Sequence, residues 1–590
     1  MKMRRGEKRN AFRYRIILIL LALLMVLTPL SVCAAEVSFK YPRASTKKGL
    51  YVTPGMEEDA LELGIRHATI NLCVSDFMPE PALQNSTHCH PFSYGGKTYW
   101  FAKGAVAQYD RELSRLAQGN VLVTAILLLS YRSDLKSLIY PAARKKSANY
   151  YQWNMTDEAA VNTLRAIVTF FQRRYSNRSG ARIVGWIVGN EVNNAGIWNW
   201  CGDIGLDTYV DLYAAQCAAV YQAARSVYAN ARIYMCLDHY WNEGNGQFWF
   251  AGKAFLIRFA SRMSARGIGN GKWNIAYHPY NVDLGVTDIM ASSPSVTNSP
   301  DTRIVTMKNL SALTNFVKTN YSKKCRVILS EQGYSSVTGG KKVSGAQAKN
   351  IALAYYIAQH NSMVDALILH RQVDHSVEVA EGAAFGLYTS WGGENAAKRK
   401  PSWLTYKLAD TTKTNKYTKA AARQASRVTG TGVKKIFTAQ SGMLRSTASL
   451  VWSRYYPGGG SGYGALAGFA LQNGAYRLIH DPARNANVPW GLKRSGKVNC
   501  KKKTKLGFGI QVNGSTSGNC TVTVRLWSGS KRYYEAKKVI ATGVPNGLYM
   551  KLEKWKYRNK ITRIDILVTP NGGGWTANAD AAIWAIGIRK

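Results

Sequence analysis

The chain is predicted to be an α/β protein, a (β/α)8 TIM barrel over residues 45–410 followed by a jelly-roll-like β-sandwich over 451–590. Three observations predict it. From Gly49 onward, short apolar runs alternate with amphipathic helical stretches, the pattern of parallel βα units. Those runs carry no polar alternation, as expected of strands buried on both faces. After Asp410 the composition changes, and from about Val451 short alternating strands separated by Gly, Asn and Pro take over. At 590 residues, with 46% hydrophobic and 11% aromatic side chains, the chain is long enough for a large barrel and a smaller module, each with its own core.

Taken in order, the first strand is Gly49 to Val52. The helix Met56 to Leu63 follows, with Glu57, Glu58 and Asp59 in the first turn where the helix dipole favours acids. His67 to Val74 is the second strand, Val121 to Leu129 the third and Ile183 to Glu191 the fourth. Between the second and third, Phe92 to Phe101 has aromatics around Gly95-Gly96 and is expected to be a β-hairpin over the barrel mouth. Asp207 to Tyr228 repeats apolar residues at intervals of three and four, the mark of a helix. Arg232 to Leu237, Trp273 to Tyr277, Arg326 to Ser330 and Ala366 to His370 complete the eight strands. Residues 411–450 are expected to be a linker, rich in Thr, Lys and Ala and ending near the glycine-rich run at Pro457.

The N-terminus places Lys2, Arg4, Arg5, Lys8, Arg9, Arg13 and Arg15 before an apolar run, Ile16 to Leu27, and then Cys33-Ala34-Ala35. That order predicts a secretory signal peptide over 1–35 and a secreted protein with no stable membrane span after cleavage. With 78 Lys and Arg against 34 Asp and Glu, the formal net charge is +44. Outside a cell such a field favours anionic cell-wall polymers or acidic polysaccharides as partners; no motif points to nucleic acid. Nine cysteines in 590 residues are too few for a disulfide scaffold. Cys500 and Cys520 are candidates for one bridge.

Two of the buried strands end in a carboxylate. Glu191 closes the fourth and Glu331, 140 positions downstream, closes the seventh. A charge left unpaired in an apolar interior costs several kcal/mol, so both glutamates call for partners or a task. At the C-terminal rim of a barrel such residues converge on one mouth. Cleaving a glycosidic bond needs two such groups, one to protonate the departing oxygen and one to attack or stabilise the sugar carbon.

On Asn190-Glu191 after strand four, His278-Pro279-Tyr280 after strand six and Glu331 after strand seven, the chain resembles the clan A glycoside hydrolases, retaining TIM-barrel enzymes. The layout also resembles a bacterial secreted domain of unknown function family, number 5722. The clan A resemblance implies that Glu191 is the acid/base and Glu331 the nucleophile, with Asn190 bonding a sugar 2-hydroxyl. It implies further that Tyr280 bonds the nucleophile and that His278 orients the acid/base or binds sugar.

Further substrate-binding candidates are Asn71 at the end of strand two, His239 and Trp241 after strand five, and His370 and Arg371 after strand eight, with Asp374 and His375 beyond them. Trp391 is a candidate stacking platform. A satisfied structural role is the rival reading for each. His88-Cys89-His90 has metal-ligand composition but no accompanying carboxylate motif, so no metal and no cofactor are expected. In the second module, Trp490, Trp527, Trp555, Trp575 and Trp584 divide between core and a carbohydrate-binding face. Lys501, Lys502, Lys503 and Lys505 form a local basic patch. The expectation is a secreted retaining glycosidase acting on a poly- or oligosaccharide. Its rivals are an inactive barrel that binds cell wall or glycan, and a transglycosylase of the same fold.

Overall fold

In the computed structural model, eight strands close into a parallel barrel: β1 (Lys48–Tyr51), β2 (His67–Cys73), β3 (Leu122–Leu128), β4 (Ile183–Val188), β5 (Arg232–Leu237), β6 (Asn274–Tyr277), β7 (Val327–Gln332) and β8 (Val364–Leu369). Each pairs with its neighbours in sequence, and β8 returns to β1. The structure describes residues 35–145, 148–176, 182–390, 398–433, 435–436, 452–455, 466–472, 475–480, 489–498, 505–530, 532–552, 555–572 and 574–589. The expected signal peptide, Trp391, Cys500 and Lys501 to Lys503 therefore lie outside the described residues.

Strand alternation sorts the apolar runs onto two surfaces. Ile126, Leu128, Ile187, Tyr234, Cys236, Ala276, Ile328, Ala366 and Ile368 fill the barrel interior. Leu127, Trp186, Val188, Met235, Ile275, Leu329 and Leu367 face the surrounding helices. Burial on both sides is why these strands read as unbroken apolar runs. Gly185 makes room inside: a Cβ there would stand 2.9 Å from the Tyr234 ring and 3.1 Å from the Arg232 carbonyl.

The helix Glu57–Leu63 carries its three acids in the first turn, and Leu206–Val227 buries the expected stripe. The hairpin pairs Cys89–Tyr94 with Lys97–Ala102 around Gly95 and Gly96, both at positive φ. It packs against the outer helix Glu158–Arg174, where Phe101 stacks on Phe170 at 3.9 Å, and not over the mouth. Its aromatic face found an apolar helix flank, which buries more surface than an open rim.

The expected linker also differs. Lys416–Thr429 is a helix with a capping box formed by Asn415 and Thr418. Ala421, Ala422 and Ala425 are fully buried in the barrel's own core. Lys48, at the start of β1, is tied to this end of the barrel by a buried ion pair with Asp410 at 2.5 Å.

Beyond it stand two five-stranded antiparallel sheets, each contributing one face to a separate core of residues such as Leu492, Phe508, Val522, Ile566 and Ile583. Trp490, Trp555 and Trp575 belong to that core, whereas Trp527 is half-buried with its ring 4.7 Å from Tyr533. Cys520 is buried, and its candidate bridge partner Cys500 lies outside the described residues.

Candidate active site

The residues that cap the barrel follow from the same alternation that fills it. Two positions beyond each inward apolar residue, the chain reaches the rim: Leu128 is followed by Ser130, Ala276 by His278, Ile328 by Ser330 and Ile368 by His370. Tyr51 and Cys73 pack on the same interior cluster. The result is a polar layer on an apolar plug. Cys73 Sγ lies 3.0 Å from Ser130 Oγ, and His278 Nε2 lies 3.0 Å from Ser330 Oγ and 3.5 Å from Cys236 Sγ.

Glu331 reaches this layer through a bulge. From Leu367 to Leu369, two steps on β8, the partner strand takes three, Leu329 to Gln332. One extra residue in β7 lets both Ser330 and Glu331 address the mouth, a re-aiming that bulges characteristically supply. Glu191 arrives differently. Gly189, at φ 73°, donates its N–H to Leu127 O, and Glu191 itself has φ 38°. A non-glycine residue in that region costs on the order of 1–3 kcal/mol, and surrounding contacts must hold it. Those contacts are Glu191 N to Cys236 Sγ at 3.3 Å, Val192 N to Cys236 O at 3.0 Å and Asn194 N to Glu191 O at 2.8 Å.

One imidazole joins the two carboxylates. His278 Nδ1 lies 2.8 Å from Glu191 Oε1 and 3.3 Å from Glu331 Oε2, so these two oxygens are at most the sum of those distances, 6.1 Å, apart. Tyr280 donates its hydroxyl to Glu331 Oε1 at 3.1 Å, and His370 Nδ1 lies 3.3 Å from the same oxygen. The His278 side chain is 1% exposed, Glu191 13% and Glu331 27%.

The electrostatics of the cluster favour the ionised form of Glu331. Burial pushes the Glu331 carboxyl up, but His370, His278, the Tyr280 hydroxyl and Arg371 together outweigh it and hold it below the usual glutamate range. Burial would push His278 down; Cys236, Glu331 and hydrogen bonds with Cys236 and Glu191 lift it well above its ordinary value. Asp238, buried at the end of β5, is driven well above the carboxylate range by burial and by the neighbouring charge of Glu191. Its Oδ1 accepts from Asn193 Nδ2 at 2.5 Å and Tyr240 N at 2.9 Å.

Of the residues singled out from sequence, Glu191, Glu331, His278, Tyr280 and His370 meet in one cluster. Asn190 stands half-buried beside Glu191. Arg371 lies 5.8 Å over the Tyr51 ring, and Asn71 Nδ2 donates to Tyr51 OH at 3.4 Å, which brings both to the mouth. Trp241 is not brought there, and His239, though within reach of the His278 charge, makes no side-chain hydrogen bond among the described residues. His239 is buried with its ring 4.2 Å from Tyr240. Burial, then His278, depresses it to about 4. Trp241 is fully buried, donates Nε1 to Pro300 O at 3.1 Å and packs on Phe316. Asp374 is taken up by Lys400 Nζ at 2.7 Å, and His375 precedes the short helix Ser376–Ala380. Tyr51, Cys73, Ser130, Cys236, Asp238 and Ser330 join the site without having stood out as candidates in the sequence. The period of two through the interior positions is the signal that points to most of them.

Among the described residues no group of His, Cys, Asp and Glu could hold a metal ion, and no helix is long and apolar enough to cross a membrane. Solved structures similar to the chain include a glucosidase from Croceicoccus marinus, 11% identical at a TM-score of 0.40, covering 92% of this chain and 100% of that one. A GH5_18 protein from Bifidobacterium longum subsp. longum is 14% identical at a TM-score of 0.40, covering 62% and 78%. A GH10 protein from Paenibacillus barcinonensis is 14% identical at a TM-score of 0.37, covering 62% and 94%. Comparison with curated proteins gives no match. Residues 40–429 match the Family of unknown function (DUF5722), and the chain belongs to that family.

Proposed function

We propose that the chain is a retaining glycoside hydrolase acting on a poly- or oligosaccharide. The observation that carries this is the pair Glu191 and Glu331, held through one imidazole within 6.1 Å of each other at the barrel mouth. Retaining enzymes keep their two carboxyl groups about 5–5.5 Å apart, and inverting enzymes leave about 6.5–9.5 Å for a water. In the proposed reaction a Glu331 oxygen attacks the anomeric carbon as Glu191 gives its proton to the departing glycosidic oxygen. Glu191 then takes a proton from water, whose oxygen displaces Glu331 and frees the sugar with its original anomeric configuration. The cations and the hydroxyl around Glu331 support its assignment as the ionised partner. The rim residues Tyr51, Asn71, Asn190 and Arg371 are then available for sugar hydroxyls and ring faces.

The N-terminal signal pattern and the net charge of +44 support a secreted enzyme working near anionic wall polymers or acidic polysaccharides. The test is turnover of a panel of aryl glycosides and polysaccharides by the parent chain, Glu331→Gln and Glu191→Gln. Glu331→Gln is expected to lose on the order of 10⁴-fold or more in kcat. Glu191→Gln should lose about 10²–10⁴-fold on substrates whose leaving group needs a proton. Undiminished turnover in Glu331→Gln would remove the assignment. Glycan binding with no hydrolysis by the parent would instead favour a binding protein, and glycosyl transfer to added acceptor sugars a transglycosylase.

A further inference from the structure

We propose that Glu378 is a positioning residue that acts through His370 on the nucleophile, an inference that rests on the reading of Glu331 given above. The structure carries a chain of contacts outward from Glu331. His370 Nδ1 lies 3.3 Å from Glu331 Oε1, and His370 Nε2 lies 3.1 Å from Glu378 Oε1. Arg371 closes the chain: its Nη2 lies 3.2 Å from the same Glu378 oxygen, and its Nε–H points at His370 Nε2 at 3.3 Å.

Nε2 thus faces an acceptor, the Glu378 oxygen at 3.1 Å, and a donor, the Arg371 Nε–H at 3.3 Å; in the proposal the nearer carboxylate contact is the one Nε2 answers, and with Glu331 against Nδ1 only the doubly protonated ring serves both carboxylates. Glu378 therefore selects the charged form of His370 and, by fixing Nε2, aims Nδ1–H at the attacking carboxylate. Ring rotation is restrained from other elements too: Tyr51 of β1 stands 5.8 Å away and Phe385 6.2 Å. The other charged or titratable groups facing this chain are Tyr280 and His278, in contact with Glu331, the Tyr51 phenol, and Asp374, which is paired with Lys400 and lies within reach of the Glu378 charge.

Glu378 sits on the short helix Ser376–Ala380 in the connection after β8. Its Oε2 is buried and has no hydrogen-bond partner among the described residues. A carboxylate placed there at the cost of one unsatisfied oxygen fits a charge-setting role better than a loop tie, which a neutral glutamine would serve as well.

The test uses the full chain labelled with ¹⁵N-histidine, with Glu378→Gln, Glu378→Asp and, as a control on the same connection, the exposed Glu381→Gln. In the parent at neutral pH both His370 nitrogens should resonate as protonated. Glu378→Gln should show a lone-pair nitrogen at the same pH, Glu378→Asp should restore the parental signal in part, and Glu381→Gln should not change it. In kcat/KM profiles the acid limb of Glu378→Gln should move up by about one pH unit, because Glu331 has lost a cationic neighbour. Its optimum should fall about 10- to 100-fold, as loss of alignment predicts. An unchanged His370 spectrum in Glu378→Gln, or a loss of activity by one factor at every pH, would overturn the proposal. Because the spectrum needs no substrate, a parent chain that cleaves no glycoside would sink the hydrolase reading while leaving the Glu378–His370 contact tested.

Discussion

Glu331 is asked to stay ionised in a partly enclosed mouth, and the price of its burial is offset by named neighbours. The Tyr280 hydroxyl is the most easily removed of them. A hydrogen bond to a charged group contributes about 1.5–3 kcal/mol, so Tyr280→Phe is expected to lower kcat/KM by about 10- to 100-fold. Its sign on pH follows from the direction of the Glu331 shift. A carboxyl held below its unfolded value contributes stability that is full above that value and lost as pH falls through the folded one. Removing the phenol raises the folded value, so both the acid limb of activity and the acid unfolding midpoint should move to higher pH. Profiles unchanged from the parent would show that the contact at 3.1 Å has no such role. At this scale the sequence was legible where a polar residue interrupts an apolar run: Glu191, Glu331, His278 and His370 all announce themselves that way. His239 and Trp241 follow strand five just as closely, yet the turn of the chain there buries both, and a linear spacing carries no sign of that turn.

Among the elements, the eight strands were legible because burial on both faces leaves an unbroken apolar run. The bulge in β7 was not. It is a relation between two strands, three residues opposite two, and neither strand alone records it. The helix Lys416–Thr429 was hidden by composition, since Thr, Lys and Ala read as a tether until Ala421, Ala422 and Ala425 are seen to form one stripe. The hairpin was placed by its aromatics, which sought the nearest helix flank. Gly185 shows how tightly β4 is built into the barrel: its missing side chain makes room for a Tyr234 ring that has no free space to retreat into. Gly185→Ala is expected to destabilise the fold by about 1–3 kcal/mol, the usual cost of overpacking a filled interior. Urea unfolding should show a lower midpoint at unchanged slope. A parental midpoint would mean that the interior of the barrel is looser than its contacts indicate.

At the scale of the molecule, closure of the barrel is what turns two distant glutamates into a pair. Residues 191 and 331 sit on β4 and β7, and they face each other only because all eight strands are parallel and β8 returns to β1. An open sheet with the same strands would leave them on separate stretches of rim. The Lys48–Asp410 ion pair and the terminal helix of the barrel strengthen that closure near β1. The sandwich, with its separate core, adds a second body whose role the barrel's chemistry does not require. In the proposed reaction this closed barrel cleaves glycosides through a covalent link to Glu331. The most direct measurement is incubation with a panel of activated 2-deoxy-2-fluoro glycosides, followed by proteolysis and mass mapping of the labelled peptide. One glycosyl adduct per chain is expected, on the peptide that carries Glu331, and none in Glu331→Gln. Turnover of glycosides with a label elsewhere in the chain, or with products of inverted configuration, would contradict the proposed reaction.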